Sequence, residues 1–131
     1  MREFTVATRR KEEMVNITSF VRQAVEESGK KRGICVVYVP HTTAGVTVNE
    51  SADPDVVFDI LRGLRHAVPD ALPYEHGEGN APAHVKASLV GSSVSVLFEE
   101  GKILLGTWQG IFLCEFDGPR QRRIWIQVVG E

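Results

Sequence analysis

Apolar and polar residues alternate from Arg2 to Thr8, the period-two signature of a strand with one face on a core. Past Asn16 the period lengthens. Ile17, Phe20, Val21, Ala24 and Val25 recur at helical spacing, with Asn16 placed as N-cap and Gly29 as the stop. The segment 33–39 (GICVVYV) is an unbroken apolar, β-branched run, which predicts a strand buried on both faces, and Pro40 ends it. AGVTVNE then reads as a second short strand. Asp53 and Pro54 open a helix by cap and first-turn chemistry, and Val56, Val57, Ile60, Leu61 and Leu64 form its apolar stripe.

From 67 to 83 the pattern lapses into a proline- and glycine-rich loop, longer than a compact domain usually leaves without a purpose. Asn80 is placed to cap a short helix over APAHVKASL. The last third returns to strands: SVSVLF, KILLGTW, GIFLCEF and RRIWIQVV. Glu100-Gly101, Gln109-Gly110 and Asp117-Gly118-Pro119 mark turns between them. Helices among the early strands, followed by a meander, predict an α+β fold. It is a single domain over 1–131, with a mainly antiparallel sheet or sandwich and two or three packed helices.

Composition narrows the function classes. With 43% hydrophobic and 24% charged residues, the chain has enough apolar surface for one core and needs no disulfide or metal to fold. A net charge of −2 argues against a whole-domain nucleic-acid footprint. No apolar run approaches membrane-spanning length, so the expectation is a cytoplasmic protein with no membrane partner. Cys35 and Cys114 each sit inside an apolar run and read as buried free thiols.

Candidate chemistry gathers at the ends of elements. His41 stands where a strand emerges into PHTTAG, His76 in the long loop, and His84 at the start of the helix after it. Neutral imidazole suits zinc, and three ligands with one open position is the catalytic pattern; the spacing matches no linear zinc motif, so the fold must assemble any such site. His66, at the end of a helical run, reads as a solvated helix end favoured by the dipole. Asn49 and Glu50 end the TVNE strand, and Glu50 is the candidate general base or histidine-orienting carboxylate. Asp53 and Asp55 read as ordinary first-turn acids. In GTWQG, Thr107 and Gln109 offer hydrogen bonds and Trp108 a flat stacking surface. Turn chemistry explains Asp117, Gly118 and Pro119 but not Arg120, Arg122 and Arg123, a cluster suited to phosphate or carboxylate.

PHTTAGVTVNE (40–50), Asp53-Pro54, YEHGEGNAPAHVKASLVGSSVSV (74–96) and GKILLGTWQGIFLCEFDGPRQRR (101–123) together resemble the YjbQ family, also called the secondary thiamine-phosphate synthase family. The resemblance covers nearly the whole chain in order. It implies a small α+β fold, a homotrimer with polar pockets near subunit boundaries, and a divalent metal (zinc or magnesium) held by His41, His76 and His84. It further implies an enzyme joining a hydroxymethylpyrimidine diphosphate to a thiazole phosphate and releasing diphosphate. His41 and Glu50 are then the catalytic candidates. Thr42, Asn49, Asn80, Thr107, Trp108, Gln109, Asp117 and Arg120 are the candidate contacts to a small phosphorylated molecule. A metal-dependent hydrolase and a non-catalytic metabolite- or metal-binding module are the alternatives.

Overall fold

The computed structural model describes residues 1–131. Eight strands and three helices follow in the order β1 (Arg2–Ala7), β2 (Glu13–Asn16), α1 (Thr18–Ser28), β3 (Gly33–Tyr38), β4 (Ala44–Glu50), α2 (Pro54–Ala67), α3 (Ala81–Val90), β5 (Ser93–Glu99), β6 (Lys102–Ile103), β7 (Gln109–Glu115) and β8 (Gln121–Gly130). The strands form two sheets, β1-β8-β3-β5-β6 and β2-β7-β4, and each pairing is antiparallel. The α+β expectation holds, with three helices. No helix is long and apolar enough to cross a membrane.

Two cores follow from which faces the strands bury. The larger joins Cys35, Val37, Val46, Phe98, Leu113 and Ile124 from both sheets to Val21 and Val25 of α1. The smaller puts Leu61 of α2 and Ala83 and Ala87 of α3 against Cys114 and Phe116, on the far side of β7. β7 is therefore the strand covered on both faces: Gly110 to Glu115 are all buried. The expectation had given that place to β3. There Cys35 and Val37 are buried, but Ile34 is 45% and Tyr38 42% exposed. Apolarity alone cannot separate the two runs, because an apolar face can as well look outward from a sheet as into a core.

Capping shows how closely local chemistry was followed. Gly29 takes the left-handed conformation (φ 68°) that ends α1, and Asp53 accepts from the Asp55 amide at 2.9 Å. Asn16, the expected N-cap, lies one residue outside the cap position. Its Oδ1 accepts from the Thr18 amide (3.0 Å) and hydroxyl (2.6 Å), while Ile17 holds the cap position. The Thr18 hydroxyl accepts from the Ile111 amide at 2.9 Å, fixing the helix start to β7. Asn80 holds the cap position of α3 but makes no capping bond; its amide is turned elsewhere. The sequence reading left β2 unassigned; it pairs with β7 as an edge strand.

Candidate functional site

The candidate residues fall at the two ends of the β4–β7 ladder. At one end Ala44 faces Glu115, and at the other Glu50 faces Gln109. At ~3.4 Å per residue, the strand between them is about 20 Å long.

The Glu115 end carries His41, Thr42, Asn80, Asp117 and Arg120. Beneath them lies a buried ion pair: Glu115 is 0% and Arg122 2% exposed. Arg122 grips the carboxylate with two nitrogens, Nε to Oε1 at 2.8 Å and Nη2 to Oε2. Oε1 also accepts from the Thr8 hydroxyl (2.8 Å), and Oε2 from the Asp117 amide (3.0 Å). Nη2 donates further to the carbonyl (3.1 Å) and hydroxyl (2.8 Å) of Thr43. Burial works to raise the Glu115 pKa, but the bonds from Arg122, the Asp117 amide and Thr8 outweigh it and hold the carboxyl below its ordinary value.

His41 is half-buried above this pair. Its Nε2 accepts from the Arg123 amide at 2.8 Å. An accepting ring nitrogen bears no proton, so the neutral ring carries its proton on Nδ1. Burial first, then the charges of Arg122 and Arg123 and more weakly Arg120, pulls its pKa below the usual value, with Glu115 opposing. The imidazole is thus neutral near pH 7.

Asp117 ties the neighbouring loops together. Its Oδ2 accepts from the Asn80 amide (2.9 Å) and from Arg120 Nη2 (3.0 Å), while Arg120 Nε donates to its carbonyl (2.8 Å). Asn80 Oδ1 is buried without a partner. A polar cavity of about 270 Å3 opens beside Asn80 and Asp117, walled in part by Lys11, Glu12 and Lys86. Lys86 is buried on α3 and its ammonium donates to Glu12 at 2.8 Å.

His76 and His84 meet edge to face, with ring centroids 5.1 Å apart at 79°. Glu78 lies 3.8 Å from His76 Nε2. The fold therefore joins two of the three candidate ligands. No group of three His, Cys, Asp or Glu side chains in the chain is placed to hold a metal ion. The donors present in one chain supply two imidazoles, short of the three-ligand set.

Asn49, Glu50, Thr107, Trp108 and Gln109 lie at the other end. Gln109 Oε1 accepts from the Gly106 amide (2.8 Å), and the Trp108 carbonyl accepts from the Ser51 amide (2.8 Å). The Trp108 side chain is 62% exposed. The structure does not bring Glu50 or Trp108 to His41, so within one chain Glu50 and His41 cannot serve the same reacting atom.

The sequence reading missed Glu115, Thr8 and Thr43, and took Arg122 as one of a surface cluster. A signal was present. Arg122 shares its strand parity with Ile124 and Ile126, which face the core, and Glu115 interrupts the apolar run before Phe116. Two opposite charges at inward positions of adjacent segments point to a buried pair. The two cysteines are buried and free as expected, and burial pushes their thiols up to about 11 for Cys35 and about 12 for Cys114.

Residues 2–131 match the family model described as UPF0047 protein YjbQ-like. The chain is 50% identical over 129 residues to the UPF0047 protein MJ1081 of Methanocaldococcus jannaschii, covering 98% of this chain and 94% of that one. It is 44% identical to the UPF0047 protein YugU of Bacillus subtilis, covering 99% of both. A crystal structure of a YjbQ/UPF0047 protein from Clostridium acetobutylicum superposes with a TM-score of 0.96 at 49% identity, covering 98% of this chain and 100% of that one. None of these names specifies a substrate.

Proposed function

The chain belongs to the YjbQ family, and from that premise we propose that it is a small-molecule enzyme whose substrate carries a phosphate or diphosphate, bound at the His41 end. The observation that carries the proposal is a neutral imidazole set among three arginines, of which Arg120 and Arg123 are exposed. Guanidinium forks match phosphate oxygens in two bonds at once; Arg122 is committed to Glu115, while Arg120, bonded to Asp117 at 3.0 Å, and Arg123, 3.9 Å from Glu3, lie at the surface where an anion can reach them. The Nδ1 proton of His41 is a further donor toward an anion.

The finer reading is the transfer its resemblance implies: joining a hydroxymethylpyrimidine diphosphate to a thiazole phosphate with loss of diphosphate. The protein's part in that reaction is to offset negative charge developing on the leaving group, with Arg120 and Arg123 as the groups in place. A divalent ion, zinc or magnesium, on His76 and His84 belongs to the same proposal and would supply further charge compensation; His41 could join as third ligand only by releasing the Arg123 amide from its Nε2.

A homotrimer completes the reading. Ile34 stands between Leu97 and Val129 on the outer face of the larger sheet, with Tyr38 further along the same face, and association would cover these exposed apolar side chains. Trp108 and Glu50, remote from His41 within one chain, then reach a bound ring only from a neighbouring copy.

The test is product formation from the two precursors, by wild type and by Arg123→Ala and Arg120→Ala. Thiamine phosphate made by wild type and lost at least ten-fold in the variants supports the transfer; no product removes it. Binding of inorganic diphosphate by calorimetry tests the coarser reading, which fails if wild type shows no heat of binding. Metal content of His76→Ala and His84→Ala tests the ion: both lose it, or the assignment is wrong. Mass in solution by light scattering tests the trimer.

A further inference from the structure

We propose that Glu115, acting with Arg122, is a positioning residue for the His41 end of the molecule, holding three separate segments in one arrangement. The inference rests on the reading that this end is the site. It goes beyond that reading by assigning the work of preorganisation to two side chains buried beneath the site.

Stability alone is a weak reason for such a pair. Taking both charges out of water costs several kcal/mol per ion, and replacing a buried pair by apolar residues of similar volume is often neutral or stabilising. The geometry supplies a better reason, because nearly every bond of the pair ends on a segment bearing a candidate residue. Arg122 holds Thr43 by both its carbonyl and its hydroxyl, two residues after His41. Glu115 holds the Asp117 amide, and Asp117 in turn holds Asn80 and Arg120. Thr8, bonded to Glu115, accepts from the Arg120 amide at 3.0 Å.

The last contact is the most telling. The β3–β8 ladder ends at Tyr38 facing Trp125, so the Arg123 amide lies beyond the last β3 residue. His41 Nε2 takes that amide in place of a strand carbonyl. The imidazole is therefore aimed by the backbone of β8 next to Arg122 and by the Thr43 anchor on its other side. With the carboxylate gone, Arg122 is an unpaired buried charge, and segments 41–43, 117–120 and 122–123 lose their common reference.

The experiment compares wild type with the double variant Glu115→Leu/Arg122→Met by amide hydrogen exchange and imidazole 15N shifts. If the pair positions the site, the double variant folds cooperatively with a melting temperature near wild type. Its Arg123 amide then loses at least ten-fold in protection, and His41 loses the Nδ1-protonated signature, while the Ile124 and Ile126 amides keep theirs. Affinity for inorganic diphosphate falls at least ten-fold. An Arg123 amide and His41 tautomer unchanged in the folded double variant overturn the proposal. Should the double variant not fold, Glu115→Gln decides: it keeps the shape and removes the charge, and unchanged Arg123 and Asp117 protection overturns the proposal equally. Exchange and tautomer need no ligand. A wild type that binds no diphosphate therefore sinks the functional reading and leaves the positioning claim to its own test.

Discussion

The two ends of the β4–β7 ladder are made from the same pair of strands and are finished in opposite ways. At the Glu115 end a charged pair is sunk into the core, and the loops above hang from it by side-chain bonds. At the Gln109 end the turn closes on itself through the Gly106–Gln109 bond, Ser51 donates its amide across to the Trp108 carbonyl, and the large side chain is left in solvent. The comparison separates two ways of presenting chemistry. One end is preorganised, its imidazole aimed by bonds whose partners are themselves fixed. The other offers a surface whose geometry is local to a turn and whose ring has nothing to stack on within the chain.

Deleting the anchor of the Glu115 end should have the largest effect. Glu115→Ala leaves Arg122 as an unpaired buried charge, and urea titration should show a loss of about 3–5 kcal/mol. A loss below 1 kcal/mol would mean that water reaches the pair.

Next in size are the glycines. A Cβ on Gly118 would lie 2.3 Å from the Arg10 carbonyl oxygen, a backbone atom that cannot turn aside. Gly118→Ala should cost about 1–3 kcal/mol. At the other end a Cβ on Gly106 meets only the Gln109 side chain, nearest at its oxygen 3.3 Å away, and that flexible side chain can shift. Gly106→Ala should therefore cost less than Gly118→Ala in the same titration, and the reverse order would contradict the contrast.

Acid sharpens the same difference. Glu115 stays ionised to lower pH in the folded protein than in the unfolded chain. The unfolded chain takes up the proton first, so the stability this carboxylate contributes is complete above its ordinary 4.5 and drains away as pH falls toward the folded value. In Glu115→Gln that part of the acid limb should be absent, and urea titrations between pH 6 and pH 3 should show a shallower decline than wild type. His41 adds a milder decline of the same sign as pH falls below its ordinary 6.5, since the folded site resists its protonation. The smallest effect belongs to the exposed end: Trp108→Ala should change stability by no more than about 0.5 kcal/mol, because the side chain is already in water.

Much of the architecture was legible because it is written in short-range signals. Period two marked β1, β5 and β8, period 3.6 marked α1 and α2, and Gly29 and Asp53 set helix ends by chemistry that needs no distant partner. β2 escaped because four residues at a sheet edge carry too short a pattern. The histidines drew attention as residue types, and the fold does join His76 to His84. Glu115 and Arg122 drew none as a pair, since each is common at a surface and only the other makes it tolerable inside.

The sequence by itself determined most of the elements and their order, the α+β class and the family, since local periodicity, turn chemistry and motif identity are properties of neighbouring residues; it left out β2, drew KILLGTW as a strand where only Lys102–Ile103 is one, and read Gln109-Gly110 as a turn where β7 begins. Only the tertiary structure decided that β7 rather than β3 is enclosed on both faces, that GTWQG and PHTTAG lie at opposite ends of one ladder, and that Arg122 is buried against Glu115. Those outcomes depend on which surfaces meet. Burial of a strand face or a charge is settled by what packs across from it, and that partner is distant along the chain: Thr8 and Glu115, or Thr43 and Arg122, meet only after the sheets have closed.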